Sequence, residues 1–233
     1  MKKIPNIITC LNLFSGCLSC IMTLEYENYI GAFVFILLAA IFDFFDGFAA
    51  RLLKAFSPIG ADLDSLADVV SFGVAPGFIV FSFLSGFPSV GILEYSAFLI
   101  PIFSALRLAK FNIDTRQTTS FLGLPVPANA LFWASLVPAL SPYTEGKEMF
   151  FSGIMLALIL VFSSLMVSEL PMFSLKFKHY GWKENQWPYA LILTTIILTV
   201  LFQFLGVSLS IVCYIVFSLI NFALSRSGAE KSS

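Results

Sequence analysis

Charge is what this chain has least of: Asp, Glu, Lys and Arg make up 12% of its 233 residues, against 58% hydrophobic residues, and it has a single histidine. Soluble domains carry about 25% charged residues, so that class is excluded. With a mean hydropathy of +0.92, the chain reads as an integral membrane protein, and no nucleic-acid partner is expected. Cysteine is equally sparse. Cys10, Cys17, Cys20 and Cys213 lie inside apolar stretches, where they read as small packing residues rather than a disulfide or a metal set. The one histidine, His179, falls in a basic loop and is given no direct role. Soluble domains, internal repeats and low-complexity tracts are missing too, which leaves one membrane domain over residues 1–233.

What the chain does have is apolar sequence in lengths that suit a bilayer, about 20 residues per helical span. From Asn185 to Ser225 there is no charge over 41 residues, enough for two spans broken near Gly206. The same reading gives segments at 5–24, 29–50, 61–84, 93–112, 124–141, 148–168, 187–205 and 207–225, an all-α polytopic bundle of about eight transmembrane helices. Lys2 and Lys3 before the first segment imitate a signal peptide, but further membrane segments follow it, so it is read as a retained helix. Twelve of the 13 basic residues, all but Lys147, fall on one side of this count: Lys2, Lys3, Arg51, Lys54, Arg107, Lys110, Arg116, Lys176, Lys178, Lys183, Arg226 and Lys231. Glu25, Glu27, Glu94, Glu145 and Glu148 take the other side. The positive-inside tendency then puts both termini and the basic loops in the cytoplasm, in a cytoplasmic (inner) membrane.

Against this background, DFFDGFAARLLKAFSPIGADLDSLAD at 43–68 holds five carboxylates. At about 100° per residue, Asp43, Asp46, Gly47, Ala50 and Arg51 share an arc of roughly 140°. Gly60, Asp64 and Asp68 follow at steps of four on the next helix, with Ser71 near the same line. Asp62 points about 200° away from Asp64; it suits the N-cap of that helix instead. Two antiparallel helices joined by a short loop can therefore bring Asp43, Asp46, Asp64 and Asp68 to one place. Each ionised Asp costs about 2.5–3.5 kcal/mol in a membrane, so the cluster calls for compensating charge. Hard carboxylate oxygens suit a pair of Mg²⁺ or Mn²⁺ ions completed by substrate phosphates. Gly47, Ala50 and Gly60 leave room for a bulky ligand, and Arg51 can pair with a phosphate or a carboxylate.

The pattern DxxDGxxAR, eight residues, then GxxxDxxxD, carried by Asp43, Asp46, Gly47, Ala50, Arg51, Gly60, Asp64 and Asp68, resembles the signature of the CDP-alcohol phosphotransferases. IPNIITCLNLFSG at 4–16, DSLADVVSFGVAPG at 64–77, ALRLAKFN at 105–112 and FLGLPVPANA at 121–130 look like blocks of the bacterial and archaeal membrane-embedded members that use serine as acceptor. Lys110 stands where Arg is the more usual residue. The resemblance spans most of the first 180 residues. It implies that the four aspartates hold two divalent ions on the pyrophosphate of CDP-diacylglycerol, or of its ether counterpart CDP-archaeol, with Asp68 also acting as general base. Gly47, Ala50 and Gly60 would admit the nucleotide and Arg51 would support the site. A homodimer among membrane lipids is a further family expectation.

Arg107, Lys110 and Asn112 lie together at one helix end, where a phosphate or the carboxylate of L-serine is a reasonable partner. Lys176, Lys178 and Lys183 read as headgroup contacts. Two rivals to serine transfer are the same chemistry on another alcohol, such as glycerol 3-phosphate or inositol phosphate, and a cation transporter with carboxylates along its pathway. The second requires acids spread through the membrane depth, whereas these are clustered.

Overall fold

The computed structural model describes residues 3–55, 57–87, 90–114, 121–173, 181 and 185–230. The sequence readings at Lys2, Arg116, Lys176, Lys178, His179, Lys183 and Lys231 fall outside the described residues. Each of the expected apolar windows is helical over most of its described length. Helices α1 (Lys3–Leu24) and α2 (Tyr29–Leu52) form an antiparallel hairpin. The Asn28 side chain starts α2 by accepting from the Gly31 N–H at 2.8 Å, satisfying a donor that has no intrahelical partner.

The third rod starts earlier than the sequence pattern indicates. Helix α3 runs over Pro58–Asp68, with Ser57 as N-cap accepting from the Gly60 N–H at 3.1 Å. Pro58 occupies the first turn, where its missing N–H costs nothing. This corrects the N-cap expectation for Asp62, which lies within α3 and is exposed. After Asp68 the rod continues as a π-helical turn, Val69–Val74, and then as α4 (Ala75–Ser85). Ala75 N–H bonds to the Val70 carbonyl five residues back, and Pro76, next along, has no N–H to continue the α pattern. The expected continuous helix over 61–84 is therefore re-registered just past the last aspartate.

A 3₁₀ stretch, Gly91–Phe98, leads into α5 (Leu99–Ile113); α6 (Val126–Leu140), α7 (Glu148–Val167), α8 (Gln186–Phe202) and α9 (Phe204–Glu230) follow. Two short strands, β1 (Phe121–Leu122) and β2 (Pro171–Met172), pair antiparallel. The last two helices turn at Gln203, a non-glycine with φ of 51°, rather than at Gly206. Gly206 lies inside α9, where a Cβ would come within 2.7 Å of the Thr199 nitrogen. It is a packing glycine that lets α8 and α9 close up, and the break expected near it falls three residues earlier, at Gln203.

Among the described residues, six rods are long and apolar enough to cross a membrane: 3–24, 29–52, 58–85, 91–113, 148–167 and 204–224. Large apolar side chains such as Phe14, Phe44, Leu66 and Val200 face outward, while Thr9, Asn12, Asp46, Asp68 and Arg107 are buried. Polar inside and apolar outside is the arrangement that lipid demands, and the chain is a multi-pass membrane protein. The core centres on α6, where Trp133 is fully buried and Phe132 stacks on Phe162 of α7 at 3.8 Å between ring centroids. Ser135 of α6 and Ser208 of α9 share a hydrogen bond of 2.7 Å, an interhelical polar contact typical of membrane bundles.

Candidate active site

The carboxylates of Asp43, Asp64 and Asp68 each present an oxygen, all within 4.8 Å of one another. α2 supplies the first and α3 the other two, as their helical spacing anticipates. Asp46 stands just outside this group: its Oδ2 accepts from Thr9 Oγ1 at 2.7 Å, and it lines the adjoining cavity with Asp64. The oxygens are hard donors, and Asp64 Oδ1 is buried without a hydrogen-bond partner among the described residues. Such an acceptor needs a donor or a cation, so the residues present fit a divalent ion.

Helix α1 holds this group from behind. Asn12, fully buried, donates from Nδ2 to Asp68 Oδ1 at 3.1 Å. Its backbone carbonyl receives Ser71 Oγ at 3.0 Å, so the π-helical turn is fastened to α1 one turn after the base candidate. Gly16 makes this approach possible, since a Cβ there would overlap the Ser71 side chain and sit 2.7 Å from its Cα. Ser71, which the sequence reading placed near the aspartate line, bonds to the same residue of α1 as Asp68 does. Thr9 and Asn12 were not singled out from the sequence as site residues. Their signal was a polar stripe at helical spacing along α1, in which Thr9 and Asn12 are followed by Ser15, Ser19 and Thr23.

A cavity of about 210 Å³ opens beside the aspartates, lined among others by Asn6, Thr9, Asp46, Gly47, Ala50 and Gly60. A Cβ at Gly47 would meet nothing within 4 Å, so this face is open, as the spacing suggested. Gly60 differs: a Cβ there would meet Ser57 Oγ at 3.0 Å and Asn6 Oδ1 at 3.1 Å, so it is close-packed. Arg51 folds back along its own helix, with Nε on the Gly47 carbonyl at 3.0 Å.

A second cavity, about 330 Å³, is lined by Arg107, Lys110, Asp114, Leu122, Ser168 and Glu169 among others. Arg107 is buried, lies 5.1 Å from the Phe111 ring centroid, and is within electrostatic reach of Asp68. Lys110 Nζ donates to the Val167 carbonyl at 3.2 Å, a basic group on the free carbonyls of a helix end. Asn112 does not line this cavity; its Nδ2 donates to Ser65 Oγ at 2.9 Å, tying α5 to the aspartate helix. The rim depends on Gly123, whose φ of +75° and N–H bond to the Leu170 carbonyl at 2.9 Å fold the 121–125 segment onto the end of α7. A Cβ there would lie 2.9 Å from the Ser168 carbonyl oxygen.

The family model described as CDP-alcohol phosphatidyltransferase matches residues 2–167. The chain is 44% identical over 128 residues to the CDP-diacylglycerol–serine O-phosphatidyltransferase of Bacillus subtilis, covering 54% of this chain and 71% of that one. It is 32% identical over 206 residues to the enzyme of the same name from Helicobacter pylori, covering 85% and 81%. The archaetidylserine synthase of Methanothermobacter thermautotrophicus is 34% identical over 170 residues, covering 72% and 68%. A match over most of the chain, joined to the aspartate group at its centre, means that the chain belongs to the CDP-alcohol phosphatidyltransferase family.

Proposed function

We propose that this chain transfers a phosphatidyl group from CDP-diacylglycerol to the hydroxyl of L-serine, giving phosphatidylserine and CMP. The observation that carries this reading is the convergence of Asp43, Asp64 and Asp68 within 4.8 Å, beside a cavity that Asp64 lines together with Gly47 and Ala50. Relatives named for serine transfer align over as much as 85% of the chain. CDP-archaeol replaces the diacyl donor if the host membrane is built of ether lipids.

In this reading Asp43, Asp46, Asp64 and Asp68 hold two divalent ions, Mg²⁺ or Mn²⁺. When bound, such ions neutralise the pyrophosphate and stabilise the leaving oxygen. The open face at Gly47 and Ala50 admits the cytidine and its ribose, with Gly60 at the cavity floor and Arg51 at its edge. Arg107 and Lys110 receive the serine carboxylate, and Asn112 holds α5 in place against α3. Asp68 takes the proton from the serine hydroxyl as that oxygen bonds to the β-phosphorus; the bond to the CMP oxygen breaks. We place eight rods, α1, α2, α3 with α4, α5, α6, α7, α8 and α9, across the cytoplasmic membrane with both termini and the active site on the cytoplasmic side, where serine is available, and expect a homodimer.

The test is an acceptor screen on the purified protein with CDP-diacylglycerol and Mn²⁺, reading CMP. Release on adding serine is expected. Release only with glycerol 3-phosphate or an inositol phosphate overturns the acceptor, and substrate-independent cation flux without CMP release overturns the enzyme.

A further inference from the structure

The mechanism above uses the aspartates, Arg107 and Lys110 but leaves one buried group unemployed. Asn12 is 0% exposed. Its Nδ2 faces Asp68 Oδ1 at 3.1 Å, the orientation that an ionised carboxylate requires, since it only accepts and the amide must present its NH₂. The carbonyl end is thereby committed to the other direction. Asn12 Oδ1 is buried and has no hydrogen-bond partner among the described residues, a state that native interiors rarely leave unanswered.

We infer that Asn12 is a specificity-determining residue whose Oδ1 receives the ammonium group of the acceptor; this rests on serine being that acceptor. The chemistry of the acceptor places its groups. Serine carries its hydroxyl and ammonium on adjacent carbons, so when the hydroxyl reaches Asp68 the ammonium falls within reach of the neighbouring amide. The carboxylate then extends toward Arg107, which is within electrostatic reach of Asp68. A neutral carbonyl suits this task, for it accepts from a cation without adding another negative charge to a site that must also hold divalent ions. An acceptor with no amino group gains nothing at this position. One amide thus both orients the base and reads the substrate.

The experiment compares L-serine with 3-hydroxypropanoate, which is serine without its amino group, using full-length enzyme, CDP-diacylglycerol and Mn²⁺. Asn12→Leu should lower the serine to 3-hydroxypropanoate ratio of kcat/KM by about 10- to 100-fold, as expected for losing a hydrogen bond to a charged group. The half-saturating Mn²⁺ concentration should not move. Asn12→Ser, which shortens the side chain without adding bulk, should lower the same ratio and serves if the leucine variant does not fold. Equal losses on both acceptors mean that Asn12 only positions Asp68, and overturn the inference. An unchanged ratio with a raised Mn²⁺ requirement makes Oδ1 a metal ligand, and also overturns it. Wild-type enzyme that ignores serine altogether refutes the acceptor reading itself, a result visible before any variant is made.

Discussion

Replacing Asp68 with Asn separates two roles that the site assigns to one carboxylate. The side chain is 8% exposed and accepts from Asn12 Nδ2 at 3.1 Å. An amide of the same size can still offer an oxygen to that donor, so the packing of α1 on α3 should persist and the variant should elute as wild type does. What is lost is a proton acceptor and one of three converging oxygens. Loss of a general base costs about 10²- to 10⁴-fold in rate, or about 3–5 kcal/mol of transition-state stabilisation, and no concentration of metal restores it. Asp64→Asn removes an oxygen from the same group without touching the base. Its defect should appear as a raised Mn²⁺ requirement that high Mn²⁺ partly overcomes. The assay is CMP release from CDP-diacylglycerol and saturating serine, titrated with Mn²⁺ for each variant. An Asp68→Asn enzyme that regains near-native kcat at high Mn²⁺, or two variants with the same Mn²⁺ response, would refute the assignment of Asp68 as base.

Thr9→Val removes the 2.7 Å hydrogen bond to Asp46 Oδ2. Because the acceptor is a buried carboxylate the loss is about 1.5–3 kcal/mol, and it should appear mainly as a raised KM for CDP-diacylglycerol. Gly16→Ala inserts a Cβ 2.7 Å from Ser71 Cα; overpacking of this kind costs about 1–3 kcal/mol, which thermal unfolding in detergent will register together with lost activity. Gly123→Ala forces a side chain onto φ of +75°, at about 1–2 kcal/mol from conformation alone, and should raise the serine KM more than the donor KM because it displaces the rim of the cavity that Arg107 and Lys110 line. Mn²⁺ at 100 times its dissociation constant should stabilise the wild-type fold by about 2.7 kcal/mol and Asp64→Asn by less, measured as a shift in unfolding temperature after removing metal with a chelator.

The aspartate group was legible because it is local. Asp43 and Asp46 share a face of α2, Asp64 and Asp68 share a face of α3, and helical periodicity alone puts each pair together. What holds them was not legible in the same way. Thr9 reaches Asp46 across 37 positions and Asn12 reaches Asp68 across 56, and periodicity within one helix says nothing about which neighbour a face will meet. Local chemistry also misled at two ends. Ser57-Pro58 is the stronger helix start, yet Asp62 looked adequate because the apolar run begins after it. The break expected near Gly206 falls three residues earlier, at Gln203, because between packed membrane helices the missing side chain of Gly206 is a contact surface. Asn112 shows the limit of reading a cluster from adjacency, since it lies two positions from Lys110 but turns toward Ser65.

The choice of neutral partners for the aspartates follows from what the site must bind. A buried carboxylate in a membrane is most simply stabilised by a nearby Arg or Lys, but such a pair would spend the negative charge that the proposed cations require. Thr9 and Asn12 instead fix Asp46 and Asp68 through hydroxyl and amide donors, which set orientation while leaving the charge in place. The basic side chains are set apart, with Arg107 and Lys110 lining the other cavity. This separates two tasks: an acidic cluster that attracts divalent ions and through them a pyrophosphate, and a cavity of mixed charge, lined by Asp114 and Glu169 as well as Arg107 and Lys110, whose two cations suit the carboxylate of the acceptor. The two meet at Asp68, which belongs to the acidic group and is within electrostatic reach of Arg107. A general base has to stand at that boundary, because the proton it removes belongs to the acceptor and the phosphorus being attacked belongs to the donor.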